Sequence, residues 1–182
     1  MVARNSLLPS VDQLWAKFIA GSKWCCRRIY VSDQALQADR DLEDVWHLHN
    51  EALLSTSAHL GNGPWDEDLR NIEKTYLETG GEFLVGDVGN VIVAMGALKR
   101  ISENTAEIKR MRVRPALQGR CFGREMPMKL ESVASQRGFH RILLDTSVLQ
   151  TAAITMYRKL GYKEIGRGKM RDLDILYFEK YL

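Results

Sequence analysis

The chain has 182 residues, 45% of them hydrophobic, which is enough for one well-filled core and too few for two domains. Its 26 Lys and Arg outnumber its 23 Asp and Glu only slightly, so the dense basic tracts of a nucleic-acid-binding protein are missing. Three cysteines, two of them adjacent, imply no disulfide framework and offer no CxxC pair for zinc. His47 and His49 are two positions apart on a predicted helix, so their side chains diverge and no metal is expected.

The apolar runs are all shorter than the roughly 18 residues that a bilayer span requires. The first residues also lack the apolar core and small-residue cleavage site of a secretory signal. We therefore expect a cytoplasmic protein that binds neither membrane nor nucleic acid.

Residues 1–26 predict an amphipathic helical extension, and residues 27–182 predict the folded domain. Apolar side chains recur in the extension at helical spacing, at Val11, Leu14, Trp15, Phe18 and Ile19. The favoured interpretation is that this helix packs on the domain or on a partner subunit. A membrane-surface anchor or a transit peptide is the alternative.

The domain begins with a predicted strand, "RRIYVS", followed by two helices over residues 39–55 and 66–78, the second capped by Asp66. Two strands, "EFLVGDV" and "NVIVAMGALKRI", flank a Gly89-Asn90 turn and predict a hairpin. "TAEIKRMRV" adds a third antiparallel strand after a polar turn. The first half therefore predicts two helices and the start of a sheet.

The second half alternates helices and strands. A helix is predicted over residues 122–136, then a buried parallel strand, "RILLDTS", and a helix over residues 150–160 stopped by Gly161. "YKEIG" and "DILYFEKYL" predict a closing hairpin. The order β α α β β β α β α β β predicts a single domain of the α/β class.

The segment "VRPALQGRCFG", Val113 to Gly123, joins the third strand of the sheet to the next helix. A strand, a turn and a glycine that opens a helix direct backbone N–H groups and the positive end of the helix dipole toward one point. The segment is therefore a candidate anion site. It matches neither the three-glycine dinucleotide fingerprint nor the Gly-Lys-Ser/Thr of a P-loop.

This segment resembles the pyrophosphate loop of the acetyl-CoA-dependent N-acetyltransferase superfamily, known as GNAT. Gln118, Cys121 and Gly123 fall on the three defining positions, and "MRVRP" matches the preceding strand. "AAITMYRKLGY", Ala152 to Tyr162, resembles the family's second signature. The resemblance covers about residues 27–182 and implies an α/β (α+β) fold with a mixed, mostly antiparallel central sheet flanked by helices.

The resemblance also implies the donor site. The backbone of Met111, Arg112 and Val113 would pair with the pantetheine arm of acetyl-CoA as an added strand does. The pyrophosphate would lie on the turn and first helical residues, which are Gln118, Gly119, Arg120, Cys121, Phe122, Gly123 and Arg124. Tyr157 would protonate the departing thiolate; the alternative is a core tyrosine on an apolar helix face.

A base must accept the proton of the attacking amine, and Glu107 is the first candidate. Alternation with period two places Glu107 on one strand face with Lys109, Met111 and Val113. The alternative is an exposed glutamate paired with a lysine. Asp145, at the end of the next strand, is the second candidate for the base.

Several residues depart from the family pattern, and a group of basic residues has more than one possible role. Cys121 replaces a glycine; if the backbone of Cys121 is right-handed, the cost of this replacement is steric only. Pro127 predicts a kink or a late helix start, and Gln150 stands where many relatives have asparagine. A basic cluster around the turn could neutralise cofactor phosphates, contact RNA or form a solvated face: Lys109, Arg110, Arg112, Arg114, Arg120 and Arg124.

The sequence therefore predicts an amine N-acetyltransferase with acetyl-CoA as donor and no metal. The acceptor is a small-molecule or peptide amine, and homodimer formation stays open. Asp66, Glu67 and Asp68 either attract a cationic amine or stabilise the first turn of a helix. The alternatives are a CoA-binding pseudoenzyme or sensor without turnover, motivated by Cys121 and Pro127, and a protein-interaction module.

Overall fold

The computed structural model describes residues 29–31, 38–56, 61–88 and 91–182. The predicted extension, residues 1–26, and the predicted Gly89-Asn90 turn lie outside these ranges. The strands are β1 (Ile29–Val31), β2 (Glu82–Val88), β3 (Val91–Arg100), β4 (Thr105–Val113), β5 (Arg141–Ser147), β6 (Lys163–Met170) and β7 (Leu173–Tyr181). The helices are α1 (Ala38–Leu54), α2 (Glu67–Arg70), α3 (Phe122–Gln136) and α4 (Thr151–Lys159).

The strands form one seven-stranded sheet in the order β1-β2-β3-β4-β5-β7-β6. Every neighbouring pair is antiparallel except β4 and β5, which are parallel because α3 carries the chain back to the start of the sheet. The predicted mixed, mostly antiparallel sheet is confirmed. "RILLDTS" is the predicted parallel strand, and it lies between two neighbours with alternate side chains buried.

Helices cover both faces of the sheet. On one face α3 and α4 pack over the larger core cluster, and α3 contributes Met126, Leu130 and Ala134, which are four positions apart and fully buried. On the other face α1 contributes Val45 and Leu48 to a second cluster, together with residues of the segment 64–77. The two layers leave the end of β4 between them, where the candidate site lies.

The predicted single helix over residues 66–78 is wrong. The chain forms a 3-10 turn (Pro64–Asp66), the short helix α2, a break at Asn71 and a π-helical turn (Glu73–Leu77). Asp66 occupies the N-cap position of α2 but makes no side-chain cap hydrogen bond. Its carboxylate instead accepts from Arg110 on β4, 44 residues away, and from the Gly63 amide at 3.2 Å, which precedes the 3-10 turn.

A β-bulge interrupts β4. Ala97 pairs with Lys109 but Met95 pairs with Arg112, so β4 carries one extra residue, and Arg110 has a left-handed φ of 56°. Gly96 lies opposite the bulge, and a Cβ there would be 2.7 Å from the Met111 sulfur. The absence of a side chain at Gly96 therefore lets the bulged strand approach.

The bulge corrects the predicted face assignment in β4. Glu107 and Lys109 do share a face, but Met111 and Val113 belong to the core cluster under α3 on the other face. Period-two alternation holds only for an unbroken strand, and the extra residue shifts it by one.

The parallel pair β4–β5 separates before either strand ends. Their register runs from Thr105 opposite Arg141 to Ile108 opposite Leu144 and stops there. Both strands nevertheless continue, β4 to Val113 on its β3 side and β5 to Ser147 on its β7 side. The strands thus diverge over their last residues, and one edge of β4 has no strand partner in the described part of the chain.

Candidate active site

The turn after β4 is lined by backbone amides. A 3-10 turn (Pro115–Leu117) leads through Gly119, which has φ of 76°, to Cys121 at the N-cap of α3. Within the described ranges the amides of Gly119, Cys121 and Gly123 have no hydrogen-bond partner. Three unpaired donors at the start of a fifteen-residue helix fit an anionic group such as a diphosphate.

Cys121 does not have the right-handed geometry under which replacing glycine would have a steric cost only. Its φ is 71° and its ψ is −26°, which is the left-handed region. This conformation lets the Cys121 carbonyl accept hydrogen bonds from the amides of Arg124 and Glu125, at 2.9 Å and 3.0 Å, which starts the helix. The cost of replacing glycine is therefore conformational, and the exposed side chain adds no steric block.

Replacing Cys121 with glycine is expected to raise the free energy of unfolding by about 0.5–1 kcal/mol. A left-handed L-residue costs roughly 1–2 kcal/mol, and the greater freedom of glycine in the unfolded chain offsets about 0.5–1 kcal/mol of the gain. Urea unfolding measures the difference. The matched control is Cys121→Ala, which keeps the Cβ and should change stability little; equal effects of the two replacements would contradict the strain.

Pro127 does not delay the start of α3, so the predicted late start is wrong. The helix begins at Phe122 and runs through Pro127, which is buried. A proline lacks the N–H that would bond the carbonyl four residues earlier, here that of Gly123. The first turn of α3 and its unpaired amides therefore form in spite of Pro127.

Tyr157 lies on α4 with 4% of its surface exposed. Its ring packs against Tyr162 and Phe178 at centroid distances of 5.6 Å and 6.3 Å, so the tyrosine is a core residue, as the alternative interpretation has it. Its hydroxyl has no hydrogen-bond partner in the described part of the chain, yet the hydroxyl oxygen is not completely shielded from solvent. Tyr157 therefore has a ring that packs in the core and a hydroxyl that can hydrogen-bond a ligand.

Burial raises the pKa of Tyr157, and the positive charge of Arg112 opposes this only in part. The phenol is therefore protonated at neutral pH and can donate a proton.

Both candidate bases contact the same lysine. The Lys109 ammonium lies 3.3 Å from a Glu107 carboxylate oxygen and 3.7 Å from one of Asp145. Glu107 and Asp145 are partly buried, so the structure brings the two candidates together across the diverging strands. The predicted pairing of Glu107 with a lysine is confirmed, and the carboxylate is not exposed.

Arg110 is the centre of a buried ion-pair cluster that the sequence did not predict. Its guanidinium donates to Asp66 at 2.9 Å, to both oxygens of Asp68 and to the Trp65 carbonyl at 2.5 Å. Tyr76 also donates to Asp68. Burial by itself would raise the pKa of Asp68, but the hydrogen bond and charge of Arg110 outweigh it and hold that pKa below its ordinary value.

This cluster decides between the two interpretations of the acidic segment. Asp66 and Asp68 do not lie free to attract a cationic amine, because Arg110 neutralises both. Glu67 and Asp68 do lie in the first turn of α2, and Asp66 accepts a hydrogen bond from the Gly63 amide at 3.2 Å at the start of the 3-10 turn. Glu67 is exposed. The signal in the sequence was the pair of aspartates two positions apart, although nothing local identified their partner.

The other arginines of the basic cluster have different surroundings. Arg114 pairs with Glu51 of α1 at 3.2 Å, while Arg120 and Arg124 are exposed beside the turn. Of these three residues, only Arg120 and Arg124 therefore lie where they can contact a ligand bound at the turn.

Gln150, which stands where many relatives have asparagine, accepts a hydrogen bond of 2.7 Å from the Thr146 hydroxyl.

Two residues outside the predicted site, Arg171 and Trp65, contact each other beside the Arg110 cluster. The Arg171 guanidinium, between β6 and β7, lies 3.9 Å from the ring centroid of Trp65. Trp65 in turn supplies a carbonyl to Arg110. The sequence pattern contained no signal for this contact.

Within the described ranges, no three or more His, Cys, Asp or Glu side chains are grouped as metal ligands. His47 lies near Glu51 at 3.7 Å, and His49 lies 3.3 Å from Asp66, so the two histidines have separate surroundings. None of the described helices is long and apolar enough to cross a bilayer.

Comparison with known proteins shows which family the chain is similar to. Residues 42–162 match the model of the Acetyltransferase (GNAT) family. An IAA acetyltransferase from Azospirillum brasilense is 35% identical over 131 residues, which span 71% of this chain and 74% of that protein. N-acetyltransferase 8F1 from Rattus norvegicus is 26% identical over 128 residues, and the chain covers 58% of its length.

Solved acetyltransferases share the fold. A structure from Streptococcus agalactiae 2603 superimposes with a TM-score of 0.72 at 23% identity, over 85% of this chain and 96% of that chain. One from Salmonella typhimurium, solved with its cofactor acetyl-CoA, has a TM-score of 0.68 at 22% identity, over 85% of this chain and 92% of the other. With the family match extending over 121 residues of the 182, the chain belongs to the acetyltransferase (GNAT) family.

Proposed function

We propose that the protein is an N-acetyltransferase that moves an acetyl group from acetyl-CoA to a primary amine by direct attack. The observation that carries this proposal is the arrangement around the end of β4. Diverging strands leave one edge of β4 without a strand partner, unpaired amides lie at its end, and a protonated phenol interacts electrostatically with Arg112 of β4. These three features match the needs of an extended thioester carrier with a diphosphate group.

The donor is proposed to lie along the free edge of β4. The amides of Gly119, Cys121 and Gly123 would donate to its diphosphate, and Gln118, Arg120, Phe122 and Arg124 would complete that turn. The backbone of Met111 to Val113 would pair with the pantetheine arm as an edge strand does. Two of these carbonyls already accept a side-chain hydrogen bond, Val113 from Gln118 at 3.3 Å and Met111 from Arg112 at 2.8 Å.

The proton steps are proposed for residues of this chain. Attack by the amine nitrogen on the thioester carbonyl forms an amide and breaks the carbon–sulfur bond, which leaves a thiolate. The neutral phenol of Tyr157 donates its proton to that sulfur. Glu107, or Asp145, receives the proton that the amine loses, and Lys109 lies between the two carboxylates.

The first test separates binding from turnover. Calorimetric titration with acetyl-CoA should show binding, and free thiol should appear when a panel of primary amines is added. Binding without thiol release from any amine would favour the CoA-binding sensor over the enzyme. Absence of both heat and thermal shift would contradict both cofactor-based functions and leave the interaction module.

A further inference from the structure

Arg112 differs from the other arginines that are not exposed. Among the described residues four arginines are buried or partly buried, namely Arg110, Arg112, Arg114 and Arg141. Three of them have a carboxylate within hydrogen-bond reach: Arg110 at Asp66, Arg114 at Glu51 and Arg141 at Glu179. Arg112 has no carboxylate within 4.0 Å in the described part of the chain.

The guanidinium of Arg112 is incompletely bonded. One nitrogen, Nη1, donates to the Met111 carbonyl at 2.8 Å, while Nε is buried and has no partner. Burial and the neighbouring charge of Arg110 lower the pKa of Arg112 to about 10, although Tyr157 and Asp145 act in the opposite direction. The side chain is therefore charged at neutral pH, and its surroundings lack the anion that such a group requires.

The position of Arg112 points to the acceptor and not to the donor diphosphate. Arg112 pairs across the sheet with Met95, whose side chain packs on the α1 side, so Arg112 extends from the face opposite α3. The amide-lined turn leads into α3 on the other face. Lys109 shares this face, because it pairs with Ala97 of the same cluster, and its ammonium lies 3.7 Å from Asp145. Arg112 is therefore on the face that carries the two candidate bases, and its charge also acts on Tyr157.

We propose that Arg112 binds a carboxylate of the acceptor, so that the acetylated substrate is an amino acid or a related amine that bears a carboxylate. This inference rests on the proposed function and names its substrate class. A planar guanidinium with free donors binds a carboxylate through paired hydrogen bonds. The carboxylates of Asp145 and Glu107 lie on the neighbouring strand positions, where they suit the amine end of the same molecule.

The test compares acceptors that differ only in the carboxylate. Thiol release is measured with L-alanine, L-aspartate and L-phenylalanine, and with the primary carboxamide and the decarboxylated amine of each. The wild-type protein should prefer at least one carboxylate-bearing acceptor by roughly 100-fold in kcat/KM, because a charged partner left unpaired is costly. In Arg112→Gln the ratio of kcat/KM between each carboxylate-bearing acceptor and its decarboxylated amine should fall toward one, through a higher KM for the carboxylate-bearing acceptor.

Two further variants separate recognition from folding. Arg112→Lys keeps the charge and should recover part of the preference, whereas Arg167→Gln, at an exposed position on β6, should retain all of it. Circular dichroism and urea unfolding check that each variant folds. If Arg112→Gln does not fold, the Lys variant supplies the test, since loss of the paired hydrogen bonds should still reduce the preference.

The possible failures are distinguishable. Equal use of amines with and without a carboxylate, unchanged in Arg112→Gln, would overturn the inference and leave the enzyme in place. A weaker acetyl-CoA affinity in Arg112→Gln, with acceptor preference unaltered, would assign Arg112 to the donor and also overturn it. If no amine is acetylated, the proposed function fails, and calorimetry with the same amino acids then decides: binding that is lost in Arg112→Gln supports the carboxylate site, and its absence in the wild type contradicts it.

Discussion

Replacement of Tyr157 with phenylalanine is expected to lower kcat roughly 100-fold, the lower end of what general acid catalysis contributes. The ring would keep its contacts with Tyr162 and Phe178, because those contacts involve only the aromatic carbons. The hydroxyl has no hydrogen-bond partner in the described part of the chain, so its removal leaves no polar group unpaired. Stability and the dissociation constant of acetyl-CoA should therefore stay near their wild-type values.

Single-turnover thiol release and calorimetry with acetyl-CoA measure these two quantities separately. The matched control is Tyr162→Phe, which removes another buried hydroxyl of the same helix end and should leave kcat nearly unchanged. A Tyr157→Phe variant with full kcat would show that the thiolate leaves unprotonated or takes its proton from water. A loss confined to acetyl-CoA affinity would assign Tyr157 to donor binding.

Replacement of Arg110 with methionine is expected to lower the free energy of unfolding by about 3–5 kcal/mol, the usual cost of removing one partner from a buried ion pair. Asp66 and Asp68 would remain in the interior without their cation, and their side chains are only 2% and 17% exposed. The loss exceeds that of a surface pair, which contributes about 0–1 kcal/mol. It also removes the contact that joins the segment 64–77 to β4.

Urea unfolding at neutral pH measures this loss, and Arg167→Met on exposed β6 is the surface control. A variant that combines Arg110→Met with Asp66→Asn and Asp68→Asn should recover part of the stability, because the uncompensated negative charges are then gone. If Arg110→Met costs no more than the surface control, the cluster does not hold the segment 64–77 in place. If the triple variant is less stable than the single one, unpaired charge is not the cause.

The regular elements follow from local sequence patterns. The strand 105–113, the helix 122–136 and the strand 141–147 have the predicted bounds, and the predicted helices 39–55 and 150–160 differ from the observed ones by a residue at each end. These segments have a clear periodicity with glycine or polar residues at their ends, so their side chains specify both type and extent. The family motif also follows from residues close together, since Gln118, Cys121 and Gly123 lie within six positions.

Several features of the site depend on residues far apart in the chain. The bulge at Arg110 needs the missing side chain of Gly96, and the broken segment 64–77 needs Arg110. The left-handed Cys121 contradicts the ordinary preference of its residue type. Local patterns therefore predict the wrong strand face for Met111 and the wrong helix after Asp66.

The residue order alone is enough for most of the elements, their order along the chain and the family motif, because each depends on periodicity and spacing within a few turns or strand residues. The partners of Arg110, the contact of Arg171 with Trp65 and the unpaired state of Arg112 depend on packing between segments about 20 to 110 residues apart. No local pattern encodes those distances. The charges that we propose for acceptor recognition are thus set by the folded sheet, where bulge, strand divergence and ion pairs act together.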